Sequence, residues 1–172
     1  MSFVVIFSHG KESGPSGIKI NALTGVCDEQ HIESLSIDYR GIENPETRAH
    51  KLREVIAGLT QPVILVGSSM GSYVSLRACS TDQVKGMFLM APAVYMPGYD
   101  NTEINPGHVN TLVIHGWQDE IVPVDNAIRF ASEYATELLL LNDDHVLRHS
   151  LDRLCTEFRR FIAGFLATAT PD

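Results

Sequence analysis

Short apolar runs punctuate the chain at Phe3–Phe7 (FVVIF), Ile32–Ile37 (IESLSI), Val63–Val66 (VILV), Met87–Met90 (MFLM), Leu112–Ile114 (LVI) and Leu138–Leu141 (LLLL). Most are continuous rather than alternating, which is the pattern of strands covered on both faces. Between them the apolar positions recur at helical spacing. Leu52, Val55, Ile56 and Leu59 follow Asn44-Pro45, a helix start; Ala127, Ile128 and Ala131 follow Pro123. Leu151, Leu154, Cys155, Phe158, Ile162 and Phe165 mark a final amphipathic helix, and Ile18, Leu23, Val26 and Cys27 a less regular early one. Strands alternating with helices predict right-handed βαβ crossovers and a mostly parallel sheet with helices on both faces. The length of 172 residues predicts a single α/β domain spanning 1–172. One long irregular stretch, Ala91 to Asn110, is rich in Pro, Gly, Asn and aromatics, the composition of a functional or mobile loop.

Within this pattern "VILVGSSMGSYVSL" stands out, since an apolar strand runs into Gly67-Ser68-Ser69-Met70-Gly71 and then into a helix-like segment. Gly-x-Ser-x-Gly between a strand and a helix is the setting of a nucleophile elbow. Only Ser69 has glycines at both minus two and plus two, so it is the expected nucleophile. Ser68 is expected to be a small turn residue and Ser72 a packing or capping hydroxyl. A serine needs a base, and the base a carboxylate, in the chain order Ser, Asp or Glu, His. Asp119, in the loop after the LVI strand, supplies the acid, with Glu120 as its rival. His145, just after LLLL, supplies the base ahead of His9, His31, His50, His108, His115 and His149. Asp143 and Asp144 precede it, and the simpler role for one of them is to cap the last helix. Two backbone N–H groups should form an oxyanion hole: Met70, directly after the nucleophile, and Lys11, in the loop "SHGKESGPSG" after the first strand, which His9 braces.

Charge and cysteine content narrow the alternatives. A formal net charge of −8 and no basic cluster argue against a nucleic-acid surface. The 3 cysteines, Cys27, Cys79 and Cys155, are unpaired by spacing and sit in apolar contexts, so buried free thiols and a cytoplasmic location are expected. No signal-peptide core or membrane-length apolar run is present, and no His, Asp or Cys cluster has metal-ligand spacing. No cofactor is called for.

Taken in order, "SHGKESG", "VGSSMGSY", "HGWQDEIVP" and "NDDH" resemble the α/β-hydrolase superfamily, in particular its small cap-less bacterial serine esterases. The resemblance spans Phe3 to the last helix. It implies a minimal three-layer α/β-hydrolase fold with about six strands and no lid domain. It also implies acylation of Ser69, general base and acid catalysis by His145, orientation by Asp119, and amide donors at Lys11 and Met70. Three departures accompany it. The chain opens at what would be the third strand of larger relatives. The 91–110 segment is too short for a helical lid. Lys11 stands where many relatives carry an apolar or aromatic residue, and its side chain either points to solvent or reaches the pocket and favours an anionic acyl or leaving group. The expected substrate is a small carboxylic ester or thioester, with short acyl chains favoured by the short loop; Tyr95, Met96, Tyr99 and Trp117 are the expected pocket residues. Peptide or lactone cleavage on the same triad remains open, as does a non-catalytic binding protein on the same scaffold. Apolar edge strands are compatible with a homodimer.

Overall fold

Each apolar run becomes a strand in the computed structural model, which describes residues 2–167. The strands are β1 (Val4–Ser8), β2 (Ser34–Ile37), β3 (Val63–Ser68), β4 (Val84–Met90), β5 (Asn110–Gly116) and β6 (Glu137–Leu141). They form one 6-stranded sheet in the order β2-β1-β3-β4-β5-β6, every neighbouring pair parallel. The crossovers carry α1 (Ile18–Glu29), α2 (Pro45–Ala57), α3 (Met70–Ala78) and α4 (Val124–Tyr134); α5 (Leu151–Ala167) follows β6.

Two cores explain why the strands read as continuous apolar runs. Val4 and Ile6 of β1, with Val63 and Leu65 of β3, pack against Leu52 and Ile56 of α2, Tyr73 and Val74 of α3, and Phe130 of α4. Their neighbours Val5, Phe7, Ile64 and Val66 face the other way, onto Ile20 and Leu23 of α1 and Leu154, Phe158 and Ile162 of α5. Successive side chains in a strand point to opposite faces, so a sheet buried on both sides must be apolar at every position. The helix starts follow local chemistry: Asn44 accepts the Thr47 N–H at 3.0 Å, with Pro45 at the first helical position.

The cysteine expectation needs one correction. Cys27 and Cys79 are buried, but Cys155 is only half-buried because it lies at the edge of the α1–α5 seam, its thiol near the Ala22 carbonyl. Among the described residues no helix is long and apolar enough to cross a membrane.

The strand order places the functional region. From β1 the chain crosses to β2 on one side, and β3 then returns to the other side of β1. The carboxyl ends of β1 and β3 therefore flank a topological switch point, where open α/β sheets form their crevice.

Candidate active site

Ser69 occupies the turn between β3 and α3 with φ 55° and ψ −119°. A left-handed φ is costly for a residue with a Cβ, and backbone bonds hold it there. The Ser69 N–H donates to the Met90 carbonyl (2.9 Å), and its own carbonyl accepts from Ser72 (3.0 Å) and Ala93 (3.2 Å). The flanking glycines are steric requirements. A Cβ on Gly71 would stand 1.9 Å from the Ser8 carbonyl oxygen, and one on Gly67 would stand 2.4 Å from the Ser72 Cα. Ser68 ends β3, and the buried Ser72 hydroxyl donates to the Met90 carbonyl at 3.1 Å.

The structure brings Ser69, Asp119 and His145 together. His145 Nε2 lies 3.0 Å from Ser69 Oγ, and its Nδ1 lies 2.7 Å from Asp119 Oδ2. Because a carboxylate only accepts, Nδ1 carries the proton and Nε2 turns a lone pair toward the serine hydroxyl. Asp119 Oδ1 accepts the N–H groups of Ile121 (2.9 Å) and Val122 (2.8 Å). Burial by itself would raise the Asp119 pKa; hydrogen bonds from His115, His145 and the Val122 N–H outweigh it and hold the carboxyl well below the usual range. Glu120 is exposed and takes no part. Gly116 lets the acid and base loops meet, since a Cβ there would stand 2.3 Å from the Asp143 carbonyl oxygen.

Asp143 and Asp144 do not cap α5. Asp144 Oδ1 accepts the N–H groups of Val146 (2.8 Å) and Leu147 (3.2 Å), and Asp143 Oδ1 accepts the Asp144 N–H (2.8 Å). Both shape the loop that carries His145, and α5 is entered through a 3-10 turn at Arg148–Ser150.

The amide of Met70 is the first of α3 and has no acceptor within the helix. The amide of Lys11 is aimed by its own peptide plane. The Gly10 carbonyl is held by His9 Nδ1 (2.7 Å) and Arg48 (3.2 Å), and in a trans peptide the following N–H points the opposite way. Gly10 and Lys11 both line the cavity. His9 itself is fixed by the Tyr39 N–H, which donates to Nε2 at 2.9 Å.

A cavity of about 460 Å³ opens over Ser69. Its walls come from the β1–α1 loop and the start of α1 (Gly10, Lys11, Glu12, Ser13, Ile18, Lys19, Ile20), the 91–110 loop (Ala93, Met96, Tyr99), and Ile121, Val122, His145 and Val146. Met96 and Tyr99 are thus in the cavity wall. Tyr95 and Trp117 are not. Tyr95 adopts φ 55° and turns onto α4, its hydroxyl donating to Glu133 (2.7 Å) with the Arg129 guanidinium 3.8 Å from the ring centre. Trp117 is 53% exposed, because its N–H pairs with the Leu141 carbonyl (2.8 Å) and aims the side chain outward.

Two residues of the site were not assigned a role from sequence. His115 is fully buried, its Nε2 donating to the Val122 carbonyl (2.9 Å) and lying 3.2 Å from Asp119 Oδ2. Lys19 is buried beside the cavity and donates to the His145 carbonyl (3.2 Å). The spacing of His115, four residues before Asp119, was the only available hint of the first. Among the described residues no group of His, Cys, Asp and Glu side chains is arranged to hold a metal ion.

Comparison with known proteins agrees with this fold. The profile of the family described as serine hydrolase matches residues 28–150. No curated protein sequence matches the chain. An α/β-superfamily protein from Xanthomonas campestris pv. campestris superposes with a TM-score of 0.86 at 25% identity, covering 95% of this chain and 99% of that one. Est1E from Butyrivibrio proteoclasticus superposes at 0.80 and 17% identity over 96% and 88% of the two chains. A lidless α/β serine hydrolase from Xanthomonas campestris superposes at 0.77 and 22% identity over 98% and 84%. The fold is that of the α/β hydrolases in a minimal, lidless form.

Proposed function

Because the chain belongs to the serine hydrolase family, we propose that it cleaves small carboxylic esters or thioesters through an acyl-enzyme on Ser69. The observation that carries this reading is the continuous Asp119–His145–Ser69 hydrogen-bonded chain, ending on a strained serine at the floor of a cavity. His145 Nε2 takes the hydroxyl proton as Ser69 attacks the carbonyl carbon, and Asp119 stabilises the imidazolium. The N–H groups of Met70 and Lys11 receive the developing oxyanion. His145 then returns the proton to the departing alcohol or thiol. A water deprotonated by the same nitrogen resolves the acyl-enzyme.

The cavity supports small substrates. Its volume sits at the lower part of the range for small-molecule sites, and Ile18, Ile20, Met96, Tyr99 and Val146 supply apolar wall for a few carbons rather than a long chain. Three free thiols suit a reducing compartment such as the cytoplasm.

A fluorophosphonate probe tests the reading, followed by p-nitrophenyl esters of increasing acyl length. Wild type is expected to label at Ser69 and to prefer acyl chains of a few carbons. Labelling that persists in Ser69→Ala would overturn the nucleophile assignment. A labelled enzyme without turnover of any ester or thioester would overturn the substrate class.

A further inference from the structure

Lys19 lies on the first turn of α1, on the side of the helix that faces the catalytic cavity. It is 8% exposed. Its ammonium has three N–H donors, yet among the described residues only one is used, at 3.2 Å to the His145 carbonyl. No carboxylate forms an ion pair with it among the described residues. Asp119, Asp144 and Asp143 act on it only as more distant charges. A buried cation without a counter-ion is costly, and proteins ordinarily pair such groups. Burial accordingly pushes the Lys19 pKa down to about 8, with the three aspartates opposing the fall. The other charged side chains lining the cavity, Lys11 and Glu12, are exposed at its rim and leave the buried charge uncompensated.

A group that the fold leaves without its partner, and that borders the cavity above Ser69, points to a partner brought by the ligand. We propose that this cavity selects substrates bearing a carboxylate, whose oxygens are bound by the Lys19 ammonium. The inference rests on the ester or thioester reading above and adds the substrate class to it. The carboxylate stands either on the acyl part or on the alcohol or thiol part. A bidentate oxygen pair suits the two free N–H donors, and the resulting charge-assisted bonds are stronger than neutral ones. Through the His145 carbonyl the same lysine is one residue's length from the base, which places the ligand's carboxylate within the reach of a small dicarboxylic half-ester.

The test compares isosteric pairs, an isopropyl group replacing the carboxylate. On the acyl side these are p-nitrophenyl glutarate half-ester and p-nitrophenyl 5-methylhexanoate. On the thiol side they are the butyryl thioesters of 3-mercaptopropionate and of 3-methylbutane-1-thiol. Wild type is expected to favour the carboxylate member of one pair by about 10- to 100-fold in kcat/KM. Lys19→Gln, which keeps a donor for the His145 carbonyl but not the charge, should abolish that preference, while Lys19→Arg keeps part of it. Equal loss on both members of a pair would mean that Lys19 only positions His145, and a preference that survives Lys19→Gln would also overturn the proposal. Should no ester or thioester turn over, the ester reading fails separately. Protection of Ser69 from the fluorophosphonate by monomethyl glutarate still decides the question. Protection in wild type that is lost in Lys19→Gln supports the carboxylate site, and none, or equal protection in both, overturns it.

Discussion

Replacing Lys19 with methionine should make the protein more stable at neutral pH, and the gain should vanish in alkali. The side chains are of similar length, so packing against Ile20 and the cavity wall is nearly conserved. What changes is the charge. A fall in pKa from 10.5 to about 8 on burial means that holding the ammonium in the folded protein costs about 3 kcal/mol, at ~1.4 kcal/mol per tenfold change in affinity for the proton. The lost hydrogen bond to His145 returns about 1 kcal/mol, leaving a net gain of about 2 kcal/mol for Lys19→Met at pH 7. Between pH 8 and 10.5 the unfolded wild-type chain retains a proton that the native state has released, so wild-type stability rises with pH across that window. The variant has no such group. Urea unfolding of both proteins at pH 7 and pH 10.5 measures the effect, other titrations cancelling in the difference. The stability difference should shift by about 3 kcal/mol in favour of wild type between the two conditions. A difference that stays constant with pH, or moves the other way, would refute the reasoning that Lys19 is a buried, unpaired cation. A residue that costs fold stability yet stands in the cavity wall is the trade expected where binding, not folding, retains it.

Other outcomes follow from the same geometry. Asp119→Asn should leave the fold near wild type but lower kcat by about 10⁴, since the amide does not enforce the Nδ1–H tautomer of His145; hydrolysis within tenfold of wild type would remove Asp119 from the role. His115→Phe should reduce kcat by about 10- to 100-fold with KM within a few-fold, because Asp119 loses a donor that helps to hold it; steady-state kinetics showing a change in KM alone would contradict this. Arg48→Met should likewise lower kcat rather than raise KM, by about tenfold, as the Gly10–Lys11 peptide loses an anchor. Gly71→Ala should destabilise by at least about 3 kcal/mol, its Cβ meeting backbone that has no room to yield; a thermal melt within a few degrees of wild type would show that the close approach of α3 to β1 is not required.

The sequence revealed what is periodic or locally constrained. Strand runs such as FVVIF and VILV were legible because both faces of the sheet are covered, and only their ends moved, β3 reaching Ser68 and β4 starting at Val84 through pairing with neighbours. The elbow was legible because its glycines answer a steric demand visible in one pentapeptide. Lys19, by contrast, reads as an ordinary polar position in α1. Its burial arises from the His145 loop closing over it, a contact across 126 residues. Trp117 and Tyr95 were misplaced for a related reason. Both are near the site in sequence, but a single backbone bond in one case and a left-handed φ in the other sends the side chain away.

The fate of Asp143 and Asp144 shows how sheet order overrides local chemistry. An acidic pair ahead of an amphipathic helix is a good capping signal. The base, however, leaves from β6 and must reach a serine at the end of β3, with β5 and β4 in between. Three strand spacings amount to ~14 Å, so the chain after β6 has to run back across the sheet edge before it can start a helix. The Asp144 carboxylate closes that return by accepting from Val146 and Leu147, Leu147 turns at φ 57°, and only then does the 3-10 turn lead into α5. The carboxylates are spent on the path of His145, not on the helix. That same return brings the His145 carbonyl down onto Lys19, so the device that delivers the base also closes over the cation and leaves it facing the cavity.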